Sequence, residues 1–131
     1  MEEKAKYNKQ EVEKFSLKSR AKSFTYAFKG LVVLFKKEHN SRIHITAAIL
    51  VIALGFILDI SPQEWISISI VIALVLLSEL FNTAIERLAD VVDPNWNKLI
   101  GEVKDYAAAA ALIAALVAVV VGAIIFVPKL I

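Results

Sequence analysis

Cysteine is absent from the 131-residue chain, which excludes a disulfide scaffold and a Cys-ligated zinc site. Glycine occurs four times, each time in isolation. No G-x-x-x-x-G-K-[ST] phosphate loop and no G-x-S-x-G nucleophile turn can be written from it. Charge is scarce: 21% of residues are Asp, Glu, Lys or Arg, against 58% hydrophobic. A soluble domain usually carries about a quarter charged residues and less than half apolar ones. The charge is also segregated, because 11 of the 15 Lys and Arg lie in the first 42 residues. The net charge is only +2, and the basic residues flank apolar segments. They suit anionic lipid headgroups and the fixing of orientation better than nucleic acid.

What the chain does have is long apolar runs. Residues 1–14 are polar, with alternating signs and no apolar face, and are expected to form a frayed or disordered tail. Nothing in them resembles the apolar stretch and cleavage site of a signal peptide. Residues 15–37 place Phe15, Phe24, Phe28, Leu31, Val32 and Phe35 among Lys18, Arg20, Lys22, Lys29, Lys36 and Lys37. That pattern predicts a basic amphipathic helix lying in a membrane interface. Residues 43–58 carry no charge if His44 is neutral, and with polar ends they make a span of about 20 residues. After a loop at 59–64, Pro62 and Trp65 mark a membrane boundary. A second span runs through 63–90, and a third through 104–128, where Ala107 to Ala111 allow a neighbouring helix to approach closely. The basic N-terminal region and the Arg87/Lys98/Lys104 segment belong on the cytoplasmic side. The loop with Asp59 and Glu64 belongs outside. The expected fold is therefore all-α, with three spans preceded by a surface helix. The N-terminus is cytoplasmic and the C-terminus outside. So thin a bundle needs further walls around a polar site, which predicts a homo-oligomer.

The polar residues inside this apolar frame are the candidate site, since ionisable groups in a span cost on the order of 2.5–3.5 kcal/mol at its centre. At 100° per residue, Asn82, Glu86 and Asp90 fall within about 60° of Glu79 on one helix face. Such a stripe suits a divalent cation held by oxygens, or a carboxyl acting as a base. In the junction at 36–44, Glu38 and Arg42 are one helical turn apart and could pair. Alternatively, Glu38 could add a metal oxygen. His39 and His44 lack the i, i+4 spacing of a helical zinc pair. Asp105 suits a helix start, and Lys104 beside it could hold a phosphate.

The run Glu79-Leu80-Phe81-Asn82-Thr83-Ala84-Ile85-Glu86, with Asp90 after it, resembles the signature of the prokaryotic diacylglycerol kinase family, which includes the undecaprenol kinases of Gram-positive bacteria. Tyr26 to Leu31, Glu38 to His44, Lys104-Asp105 and Ile124 to Lys129 resemble other segments of that family, so that the likeness covers roughly residues 15–130. The Asn40/His44 version resembles the undecaprenol branch. The resemblance implies a homotrimeric lipid kinase of the bacterial inner membrane. It would phosphorylate the hydroxyl of diacylglycerol or undecaprenol at the cytoplasmic face, using ATP and Mg²⁺. On this likeness Glu79 is the general base, and Glu38 and Glu86 hold the metal and nucleotide. Arg20, Tyr26, Asn95, Trp96, Asn97, Lys104 and Asp105 contact ATP, while Arg42, Glu79 and Asn82 face the lipid. The chain departs from the family at Trp96-Asn97, where a Tyr-His pair is usual. It also departs at Ala109, where the undecaprenol branch has Gly, and at Tyr106, which replaces a small residue. A reading from the polar residues alone also leaves room for a small cation- or proton-coupled transporter subunit, or a membrane scaffold. Neither gives Lys104-Asp105 and the carboxylate stripe a joint purpose.

Overall fold

The computed structural model describes residues 16–95 and 97–131. The polar tail, Phe15 and Trp96 lie outside them. Four helices follow in order: α1 (Leu17–Lys37), α2 (His39–Ile57), α3 (Pro62–Val92) and α4 (Lys98–Leu130). The last three are long and apolar enough to cross a membrane. At 1.5 Å per residue α2 is about 28 Å long, close to the thickness of the hydrocarbon layer, whereas α3 and α4 reach about 46 and 50 Å. The two long helices therefore extend well beyond the layer at one end, and that end carries the polar residues.

Each boundary has a local cause. Ser16 caps α1, its hydroxyl accepting from the Ser19 N–H. Glu38 is extended (φ −101°, ψ 117°) and separates α1 from α2 by a single residue. The C-terminal carbonyls of α1 at Phe35 and Lys36 accept from the Arg42 guanidinium at 3.1 and 2.6 Å. The corner is thus tied by a side chain of the next helix. At the far end, α2 closes with Asp59 in the left-handed region (φ 47°) and with the Ile60 N–H donating to Gly55 O at 3.1 Å. This is the six-to-one bond of a Schellman ending. Ser61 and Glu64 then form a reciprocal capping box with Pro62 in the first turn of α3, and Lys129 of α4 reaches Glu64 at 3.3 Å.

The best-packed core sits at this same end, where Ile60, Ile68, Ile125 and Phe126 are buried together. Along the rest of the molecule α4 follows α3. The buried positions of α3 (Ile68, Val71, Val75, Glu79 and Thr83) recur every three or four residues, as do Ala107, Ala111 and Ala114 of α4. Of α2, only Ser41 and Gly55 are buried. Between α2 and the α3/α4 pair runs an apolar groove of about 410 Å³, extending from Phe126 to His44.

The last helix begins earlier than its apolar run suggests. Asn97 accepts from the N–H groups of Leu99 and Ile100, so Lys98 to Asp105 are helical and the α3–α4 connection shrinks to residues 93–97. Asp105 consequently lies about two turns into α4, not at its start.

Candidate functional site

The stripe on α3 is real, but its members have separate partners. Glu79 is buried, only 6% exposed, and its Oε1 lies 3.2 Å from His44 Nε2 of α2. One turn on, the Asn82 amide donates to Glu86 Oε1 at 3.1 Å. One turn further, Asp90 pairs with Lys104 of α4. Each of the three carboxylates on this face therefore has its own polar partner, two of those partners coming from neighbouring helices. Glu38 does not pair with Arg42. As the extended residue between α1 and α2 it has left the helix on which an i, i+4 contact depends. It accepts instead from Arg87 Nη2 at 3.0 Å. This contact ties the α1–α2 corner to α3 at the residue that follows Glu86.

The depth of these groups follows from their position on α3. Glu79 stands 17 residues after Pro62, about 26 Å along the helix axis, and Glu86 about 36 Å. Counted from the Ser61 turn, a hydrocarbon layer of about 30 Å would end between these two positions.

Past that edge lies a polar crevice of about 490 Å³, lined by Asp90, Asp93, Asn95, Asn97, Lys104 and Asp105 among others. Asp93 organises it by accepting from the Asn95 N–H and the Asn97 amide, both at 3.0 Å. The Asn97 amide first, and the Asn95 N–H second, hold the Asp93 carboxyl below its ordinary value. These bonds stabilise the loop above the usual carboxylate range and are lost as pH falls through the lowered value. Arg20 and Tyr26 lie on exposed positions of α1, with Lys22 and Lys29 at 5.9 and 5.8 Å from the Tyr26 ring centroid. A smaller crevice of about 350 Å³ separates α1 from α3, with Lys29 and Arg87 at its rim. Two buried oxygens, Ser41 Oγ and Asn82 Oδ1, have no partner among the described residues.

Three contributors escaped the sequence reading of the site: His44, Arg87 and Asp93. His44 was visible as a polar residue opening an apolar span. Arg87 stood beside Glu86, and Asp93 preceded Pro94 in a turn, but no spacing rule ties these residues to partners on other helices.

Three helices long and apolar enough to span, packed at one end and carrying paired carboxylates beside a polar crevice at the other, define a helical membrane protein. The prokaryotic diacylglycerol kinase family model matches residues 25–126. The chain belongs to this family and is a lipid kinase of a bacterial membrane, as the resemblance around Glu79 to Glu86 implies. It is 36% identical over 109 residues to the undecaprenol kinase of Bacillus subtilis, covering 83% of this chain and 89% of that protein. Against a diacylglycerol kinase of Synechocystis it is 35% identical over 82% of this chain and 62% of that longer protein. Against the diacylglycerol kinase of Escherichia coli K12 it is 31% identical over 79% and 85%, respectively.

Proposed function

We propose that the chain transfers the γ-phosphoryl group of ATP to the hydroxyl of a membrane lipid, diacylglycerol or undecaprenol, at the cytoplasmic edge of the inner membrane. The observation that carries this reading is the burial of Glu79 at the rim of the apolar layer, one turn of helix from polar groups that continue into a solvent-facing crevice. A lipid hydroxyl sits at that depth by its own amphipathicity, and a nucleotide reaches the crevice from water.

In this reading Glu79 takes the proton from the lipid hydroxyl as its oxygen attacks the γ-phosphorus. The bond from that phosphorus to the β-γ bridging oxygen breaks, and ADP leaves. Asn82 holds Glu86 in place and keeps Oδ1 available as an acceptor facing the reaction. Lys104, drawn toward Asp90, adds positive charge beside the phosphates, with Asp105, Asn95, Trp96 and Asn97 bordering the nucleotide and Arg20 and Tyr26 approaching from α1. Arg42 holds the α1–α2 corner next to the lipid headgroup.

No group of three or more His, Asp and Glu side chains converges among the described residues. Mg²⁺ needs only one or two carboxylates, with substrate phosphates and water completing its octahedron. Glu38 and Glu86 are the residues that would hold it, and the ion would supply neutralisation of phosphate charge.

On α1, Phe24, Phe28, Leu31 and Phe35 form an exposed apolar stripe at helical spacing, which supports the surface helix lying in the bilayer interface. The basic residues of α1 support a cytoplasmic site end, the N-terminus included, with the C-terminus outside. Three spans are too few to wall in the polar site, which supports assembly as a homo-oligomer, and the family resemblance implies a homotrimer. A transporter relay would need its carboxylates near the midplane, and Glu79 and Glu86 are not there.

Detergent-purified protein incubated with labelled ATP, Mg²⁺ and each lipid in turn should yield a labelled lipid phosphate. Failure with both lipids, from a folded oligomer, would overturn the proposal.

A further inference from the structure

We propose that His44 is a positioning residue for the Glu79 carboxylate. This inference rests on the reading of Glu79 as the base.

Glu79 has a long side chain, and its surroundings on α3 offer it little. The neighbouring amide, that of Asn82, is committed to Glu86. Among the described residues no Lys or Arg side chain lies within ion-pair distance of it; Arg87 and Lys104 are engaged by Glu38 and Asp90. His44 comes from a different helix, and its Nε2 at 3.2 Å from Oε1 is the contact that fixes where the carboxylate points. A carboxylate held through one oxygen keeps the other in a defined direction, and no partner occupies Oε2 among the described residues.

The location of His44 strengthens the inference. The imidazole is half-buried, its side chain 26% exposed, and it forms the polar end of the apolar groove between α2, α3 and α4. The same ring thus bounds an apolar channel on one side and holds the base on the other. A hydroxyl at the head of a hydrocarbon chain would meet both features together. The length of α2 between His44 and the anchored turn at Asp59 sets the height of the ring against α3. A base presented at a fixed height can act on a hydroxyl whose own height is fixed by the bilayer.

The test separates donation from mere packing. Of the uncharged replacements, Gln can bring an amide N–H to the place of Nε2, Asn is too short to do so, and Leu has no donor. His44→Leu and His44→Asn should each lower kcat roughly 10- to 100-fold, the scale of a lost hydrogen bond to a charged group, with the KM for ATP within about twofold of wild type. His44→Gln should recover to within about fivefold of the wild-type kcat on the same grounds. In a Glu79→Gln background, His44→Leu should cause no further loss, since the interaction it removes is already gone. Elution as the wild-type oligomer and an unchanged melt verify the fold. If Leu fails that check, the Asn and Gln pair decides. Wild-type kcat in the Leu and Asn variants overturns the proposal, as does equal loss in Gln and Asn, or a defect confined to the KM for ATP. An active Glu79→Gln variant instead removes the base itself. Inactive Glu79→Gln with fully active His44→Asn leaves the lipid kinase reading standing and sinks only this one.

Discussion

The two ends of the helical bundle are built on opposite terms. At the Ser61 end, Ile60, Ile68, Ile125 and Phe126 are buried together. There α2 ends in a Schellman motif and α3 starts in a complete capping box, and the indole of Trp65 lies against Gly55. At the Glu79 end, small buried residues such as Ala89 and Ala107 are accompanied by polar contacts between helices: His44 with Glu79, Arg87 with Glu38, Lys104 with Asp90. Two buried oxygens there, Ser41 Oγ and Asn82 Oδ1, have no partner among the described residues. The first end can set the relative positions of α2, α3 and α4, while the second carries the polar groups. Stability and chemistry are thereby separated along one axis. Substitutions at one end should move the melting transition, and those at the other should move turnover.

The largest effect that would break this comparison comes from Glu79. Glu79→Gln is nearly the same size but cannot accept the proton, so kcat should fall about 10²- to 10⁴-fold, the usual range for a lost general base. The melting temperature in detergent should hold, or rise slightly as a buried carboxylate is replaced. A collapsed oligomer with the same loss would mean that Glu79 contributes to stability rather than chemistry.

Glu86→Gln should have the next largest effect. It keeps an acceptor for the Asn82 amide but loses the charge that would face Mg²⁺. Maximal activity should then require about tenfold more Mg²⁺, or fall by about that factor at saturation. A Mg²⁺ titration identical to wild type would place the ion elsewhere.

Gly55→Ala probes the opposite end. A Cβ there would meet the Trp65 ring at 2.8 Å and Ile60 Cδ1 at 3.1 Å, and the indole is itself packed on Phe56 with ring centroids 4.8 Å apart. The ring cannot retreat cheaply, so overpacking should destabilise the fold by about 1–3 kcal/mol. Below the melting transition kcat should be unchanged. Loss of kcat without loss of stability would show that the two ends are not separable.

How much of this was legible in the sequence follows the same division. The outline of the closed end was legible from local signals: Pro62 in the first turn, Trp65 at a boundary, and a loop without Lys or Arg; its capping box, its left-handed Asp59 and the Lys129–Glu64 pair were not read there. The three spans were equally plain from their length. On the polar side, helical periodicity placed Glu79, Asn82, Glu86 and Asp90 on one face, and that depends only on α3. Their partners depend on how α2 and α4 are rotated against α3. Glu38 and Arg87 are 49 positions apart, and no pattern within a helix links them. The local rule that seemed to apply, a Glu38–Arg42 pair, failed for a specific reason. Glu38 is the one extended residue between two helices, and Arg42 turned back to satisfy the carbonyls of α1. The early start of α4 was likewise hidden, because Asn97 caps a polar turn ahead of the apolar run.

The smallest effect sharpens the comparison from the stable end. Asp59 occupies the left-handed region at φ 47°, where a side chain is disfavoured and glycine is not. It does so at the position after the helix end where glycine is most common, and the Schellman bond from Ile60 to Gly55 depends on that backbone turn. Asp59→Gly relieves the strain but enlarges the freedom of the unfolded chain, so the two terms oppose each other. The native conformation needs the left-handed region, so relief should prevail by about 0.5–1 kcal/mol, a melting shift of a few degrees. Because Asp59 is at the other end of α2 from His44, the ratio of lipid phosphate formed per unit enzyme should not change. A gain in stability accompanied by a fall in kcat would mean that the backbone turn at Asp59 sets the height of His44 against Glu79, coupling the ends through α2 itself.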